Sequence, residues 1–111
     1  MFSTERPIYR QIRDVIVERI LGSGDGALLP SVRALAAEAG VNPLTVAKAY
    51  QELQANGLVV AKKGVGLFAA EGAARALLKA ERSRFLDEEW PRVQARIERL
   101  GLTARDLLET A

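Results

Sequence analysis

The stretch LPSVRALAAEAGVNPLTVAKAY, residues 29–50, holds two helical patterns with room for only a corner between them. Ser31 is an N-cap residue type, Val32, Leu35, Ala36 and Ala39 repeat at helical spacing, and Gly40 can end the helix in the left-handed conformation. Val41 is then the corner. Asn42 caps a second run, and Pro43 suits its first position, where the missing N–H would have had no partner. Val46, Ala49, Tyr50 and Leu53 make the inner stripe of that run, and Asn56-Gly57 stops it. Two short helices joined this tightly either bury each other for compactness or hold the second at an angle that suits something outside the protein.

The flanking sequence narrows the choice. Upstream, PIYRQIRDVIVERIL places an i, i+3/i+4 stripe at residues 8, 12, 15, 16 and 20, which predicts a helix over 7–21 with Pro7 in its first turn. GSGDG, residues 22–26, ends it. Downstream the period changes: LVVAKKGVGLFAA predicts strands at 58–61 and 66–70 joined by a Lys-Lys-Gly-Val-Gly tip, a β-hairpin. From Glu71 the pattern is helical again. Leu86, Trp90, Val93, Ile97 and Leu100 follow a 4, 3, 4, 3 spacing, an a/d seam two heptads long, with Pro91 predicting a kink or a fresh start near Glu89–Pro91. Thr103 and Asp106 have capping-box spacing for a last helix over 104–110.

Helix, helix, tight corner, helix and hairpin define a mostly α fold with a small β-hairpin: a winged helix-turn-helix over 1–70, followed by a short helical tail over 71–111. Composition removes most other classes. The chain of 111 residues has no Cys and no His, which excludes thiolate and imidazole nucleophiles, Cys/His metal sites and disulfides. With no clustered carboxylates either, an enzyme is not expected, nor a cofactor or metal. No apolar run has the length of a membrane span and the N-terminus is too polar for a secretory signal, so the expected location is cytoplasmic, with no membrane partner. Residues 1–70 carry 8 Lys/Arg against 6 Asp/Glu, while 71–111 carry 8 against 8. The small basic excess lies with the hairpin and its three helices.

PIYRQIRDVIVERI, LPSVRALAAEAGVNPLTVAKAYQELQANGLV and KKGVGLF, in this order, resemble the GntR-family bacterial transcription regulators over roughly residues 6–70. The short tail resembles the YtrA-type branch, which has no large ligand-binding domain. Three features depart from the family pattern: a GSGDGAL loop about two residues shorter, Leu44 where the branch often has Asn, and Val65 and Leu67 in the wing. The resemblance implies a homodimeric, sequence-specific DNA-binding regulator, a repressor on a pseudo-palindromic operator, with an ABC-type transport operon as target. The alternative is a winged-helix module for protein–protein interaction without DNA binding.

DNA binding needs cations for phosphates and short polar groups at a helix N-terminus that reach base edges. Thr45 and Lys48, i and i+3 on the third helix, lie opposite its inner stripe. Arg33 lies off the stripe of the second helix, at a position that is a DNA contact in the resembled family. Lys62, Lys63, Gly64 and Gly66 form the wing, where glycines allow close backbone approach and lysines neutralise phosphates. Asn42 has two open roles, cap and base contact; Leu44 is a candidate for a thymine methyl. Arg6 and Arg10 are candidates for phosphate contacts, with an exposed solvated charge as the alternative, and spacing puts Tyr9 and Tyr50 in the core. In the tail, the seam of Leu86, Trp90, Val93, Ile97 and Leu100 carries more apolar surface than a lone helix keeps in water. Packing on the winged domain or two-fold self-association would cover it, and the resemblance favours the homodimer. An unidentified small-molecule effector would lie around Phe85 and Trp90.

Overall fold

A computed structural model of the chain describes residues 6–109. It divides into two compact units, Met1–Leu77 and Leu78–Ala111. The first holds α1 (Ile8–Ser23), α2 (Val32–Ala39), α3 (Pro43–Ala55), β1 (Val59–Lys62), β2 (Gly66–Ala69) and the start of α4 (Ala73–Arg84). The second holds the rest of α4, a π-helical turn (Phe85–Glu89), α5 (Trp90–Arg99) and α6 (Ala104–Glu109). The fold is mostly helical with one antiparallel hairpin.

In the first unit α1 and α2 both pack on α3. Ile12, Ile16 and Ile20 meet Val46, Ala49, Tyr50 and Leu53 in a single apolar cluster with Leu35, Ala36, Leu29 and Val59. The largest of these side chains are fully buried, each contributing about 1.5–3 kcal/mol. The cluster does not stop at Ala70: Ala73 and Leu77 of α4 are buried in it as well. The first unit therefore runs past the expected boundary, because the opening of α4 completes its core. Two stripe positions also differ from expectation. Ile8 is exposed, and Tyr9 is half-exposed rather than core, since both stand in the first turn of α1, ahead of the buried cluster that begins at Ile12.

The corner is built as its residues dictate. Ser31 Oγ accepts the Ala34 N–H, and Gly40 takes a left-handed conformation (φ 70°) that returns the Val41 N–H to the Ala36 carbonyl. Asn42 Oδ1 accepts the Leu44 N–H at 2.9 Å and α3 begins at Pro43. Helix α1 continues through Gly22 and Ser23 before Gly24 ends it, two residues beyond the expected stop. The hairpin pairs Val59 with Ala69 through to Lys62 with Gly66. A third extended piece, absent from the sequence reading, lies along β2: Leu28 bridges Phe68, and the Leu29 N–H donates to the Leu67 carbonyl at 2.8 Å.

In the tail, Pro91 has no N–H and its ring crowds the preceding turn. The helix accommodates it without breaking. The Trp90 N–H reaches five residues back to the Phe85 carbonyl, forming the π turn from which α5 proceeds. The Thr103–Asp106 capping box is present in both directions, at 2.9 and 3.2 Å. The helix it caps is described as far as Glu109; residue 110 lies outside the described residues.

Candidate nucleic-acid interface

Of the residues singled out for DNA, Thr45 and Lys48 lie in the first two turns of α3, and Asn42 is its cap. Thr45 and Lys48 line a shallow hollow of about 380 Å³ with Ile8, Tyr9 and Leu44. Leu44 is 76% exposed. Lys48 Nζ sits 3.9 Å from the centre of the Tyr9 ring, and the Arg10 guanidinium lies 5.7 Å from the same centre. Arg33 stands exposed in the first turn of α2, clear of Leu35 and Ala36. Asn42 is exposed and acts as a cap; its side-chain oxygen is already occupied by the Leu44 N–H.

The wing forms a tight turn in which the Val65 N–H donates to the Lys62 carbonyl at 2.9 Å. Gly64 supplies the positive φ (76°) that this turn requires at its third residue. Gly66 has a further reason to be glycine: a Cβ there would lie 3.1 Å from Leu28 Cδ1. Lys62 lies back over the Phe68 ring, its Nζ 4.6 Å from the centre, while Lys63 and Gly64 are exposed at the tip.

The cations of the first unit fall into two sets. Arg6 pairs with Asp14 at 2.7 Å, Arg13 with Glu52 at 3.4 Å and Arg19 with Glu38 at 2.5 Å. These pairs tie the residue before Pro7 to α1, and α1 to α3 and to α2, so Arg6 is engaged within the protein rather than held out for phosphate. Among the described residues, no carboxylate pairs with Arg10, Arg33, Lys48, Lys62 or Lys63. The unneutralised charge of the first unit thus lies at the starts of α1 and α2, on α3 and at the wing, with Arg75 on α4 as a further unpaired cation among the described residues. Sequence reasoning missed Tyr9, because its partner lies on another helix.

In the tail unit, the seam is largely uncovered within the chain. Leu86 is 57% exposed and Leu100 61%, Trp90 and Val93 are exposed, and Ile97 is half-buried. The Phe85 and Trp90 rings lie 6.4 Å apart at a tilt of 31°. A hollow of about 380 Å³ beside them is lined by Glu81, Arg82, Phe85, Leu86 and Glu89. No group of His, Cys, Asp or Glu among the described residues could hold a metal ion, and no helix is long and apolar enough to cross a membrane.

A corner-joined helix pair under a β-hairpin, with free cations on the second helix and at the wing, defines a winged helix-turn-helix protein. Residues 4–68 match the family described as bacterial regulatory proteins, gntR family. The chain is 34% identical over 110 residues to the uncharacterized HTH-type transcriptional regulator YhcF of Bacillus subtilis, covering 97% of this chain and 89% of that protein. It is 38% identical over 79 residues to the HTH-type transcriptional repressor YtrA of the same organism, covering 68% of this chain and 59% of YtrA. Among solved structures, AraR(DBD) in complex with operator ORX1 superposes with a TM-score of 0.58 at 26% identity, covering 63% of this chain and 93% of that one. The chain belongs to the gntR family: it is a helix-turn-helix transcriptional regulator of the YtrA type, and not an enzyme.

Proposed function

We propose that the protein is a cytoplasmic, homodimeric repressor that occupies a pseudo-palindromic operator and so excludes polymerase. In this reading residues 1–70, their core completed by Ala73 and Leu77, are the DNA-binding domain, and the remainder of 71–111 is the dimerisation and effector tail. The N-terminal half of α3 enters the major groove, where Thr45 and Lys48 meet base edges or phosphates, with Asn42 at the helix start. Arg33 contacts the backbone from α2, and Lys62, Lys63, Gly64 and Gly66 carry the wing along the neighbouring phosphates. The observation that carries the reading is the distribution of charge. Among the described residues of 1–70, Arg6, Arg13 and Arg19 are paired with carboxylates, whereas Arg33, Lys48, Lys62 and Lys63, together with Arg10, are not.

Two copies would join through Leu86, Trp90, Val93, Ile97 and Leu100, whose exposure in one chain is what a partner would remove. The name of the relative YtrA supports repression, and the YtrA-type resemblance suggests an ABC-type transport operon as target. A small-molecule effector would sit in the hollow beside Phe85. Selection of bound fragments from a random DNA pool, followed by footprinting, tests the proposal. The expected result is one inverted-repeat motif protected on one face of the duplex. Recovery of no motif, with equal affinity for all fragments, would overturn it.

A further inference from the structure

From the pairing of α1 with α3, we infer that Tyr9 is a positioning residue for DNA recognition: its ring holds the Lys48 ammonium at a fixed place beside Thr45. The inference rests on the DNA-binding role of α3 proposed above. Lysine is a flexible four-carbon stem whose rotamer freedom is lost when its ammonium is fixed on a partner. An ammonium over an aromatic face is held electrostatically by the ring quadrupole while its N–H donors remain available on the sides away from the ring. Here the separation is 3.9 Å, and Lys48 remains exposed, so the contact anchors the head group without hiding it. No carboxylate competes for it among the described residues.

Tyr9 lies outside the core, and of the two cations at its ring the Lys48 ammonium, at 3.9 Å, is nearer than the Arg10 guanidinium, at 5.7 Å. The tyrosine is half-exposed, its neighbour Ile8 is exposed, and the core of α1 is carried by Ile12, Ile16 and Ile20. Tyr9 instead lines the hollow shared with Thr45, Lys48 and Leu44, so the recognition surface includes the first turn of α1. A lysine held there meets the groove with fewer orientations to lose, and discriminates between bases that a freely moving ammonium would treat alike.

The test compares Tyr9→Phe, Tyr9→Leu and Lys48→Ala with the double variant Tyr9→Leu/Lys48→Ala in the full chain. Binding is measured to a selected operator and to unrelated duplex DNA. Tyr9→Phe keeps the ring and should bind as the unaltered protein does. Tyr9→Leu should lose about two- to fivefold in operator affinity, the range of an exposed cation–π contact. Its affinity for unrelated DNA should be unchanged, and the loss should vanish in the Lys48→Ala background. Additive losses, equal losses on unrelated DNA, or a gain in affinity on removing the ring would each overturn the positioning role. A loss in Tyr9→Phe equal to that in Tyr9→Leu would assign the effect to the hydroxyl instead and overturn it too. Failure of the unaltered protein to prefer any sequence would overturn the DNA-binding reading, and this inference with it.

Discussion

Arg33 and Lys48 stand apart from Arg13 and Arg19 in having no carboxylate partner among the described residues, although all four are helical. An exposed ion pair contributes only about 0–1 kcal/mol, so the paired arginines matter little to stability and the unpaired cations less. Arg33→Ala and Lys48→Ala should therefore leave the melting temperature nearly unchanged while each weakens operator binding by about 1–3 kcal/mol where a base contact is lost. Thermal melts and anisotropy titrations on the same samples separate the two effects, and a large melting shift with unchanged affinity would contradict the assignment. Tyr50 is the opposite case. It is buried, its hydroxyl donates to the Pro30 carbonyl, and burial, slightly offset by the Arg19 charge, pushes its phenol from 10 up to about 12. The folded form thus keeps the proton that the unfolded chain releases near pH 10. The stability due to Tyr50 is complete below pH 10 and is lost as pH rises toward 12. Tyr50→Phe should be less stable by about 0.5–1.5 kcal/mol at neutral pH, through the lost hydrogen bond. It should also decline less steeply between pH 10 and 12. A stability difference from the unaltered protein that stays constant across that window would refute the account.

Helix α4 shows how an element can depend on a residue far away in sequence. Its first N–H groups have no partner within the helix, and the Asp25 carboxylate accepts two donors there, from Gly72 at 2.7 Å and from Ala74 at 3.0 Å. The Ala74 bond, then the Gly72 bond, hold the Asp25 carboxyl below its ordinary value of 3.8. The cap is therefore complete above the usual carboxylate range and is lost as pH falls through the lowered value. Asp25→Ala should lower the melting temperature at neutral pH and speed amide exchange at Gly72 and Ala74. The two proteins should converge in acid, and equal exchange at pH 7 would remove Asp25 from this role. The same distance in sequence explains which elements are legible. The caps at Ser31 and Asn42, the Gly40 stop, the α3 stripe and the Thr103–Asp106 box are carried by residues within a few positions of each other, and the sequence shows all of them. The Asp25 cap spans 47 and 49 positions, the Leu28–Phe68 bridge joins a loop to a strand, and Tyr9 meets Lys48 across two helices. Each is created only when the chain has folded. Periodicity also mistakes the end of a stripe for its middle, which is why Ile8 and Tyr9 read as core.

Over the whole molecule, the winged unit closes its core with residues that a division at Ala70 would assign to the tail. Ala73 and Leu77 are buried against it, so a chain cut at Ala70 would expose part of that core, and its failure to bind DNA would say little about dimerisation. A substitution within the tail is the cleaner probe. In Ile97→Glu a carboxyl group replaces the half-buried member of the seam, and burying it unpaired costs several kcal/mol or forces it to take up a proton. If this seam joins two copies, Ile97→Glu should sediment as a monomer at micromolar concentration where the unaltered protein is a dimer. Trp90 is the only tryptophan, so its emission should shift to the red on dissociation and report the same event. Two winged units held together bind the second half-site as an intramolecular step, and loss of the link should reduce operator affinity by about 10²–10⁴ with the winged unit still folded. Affinity for an isolated half-site should stay the same, because nothing in the first unit has changed. The half-sites protected by the unaltered dimer should have centres about one helical turn apart, or a small multiple of it, on one face of the duplex. A full-length protein that sediments as a monomer, or an Ile97→Glu variant that binds the intact operator as tightly as before, would mean that the seam is covered in some other way.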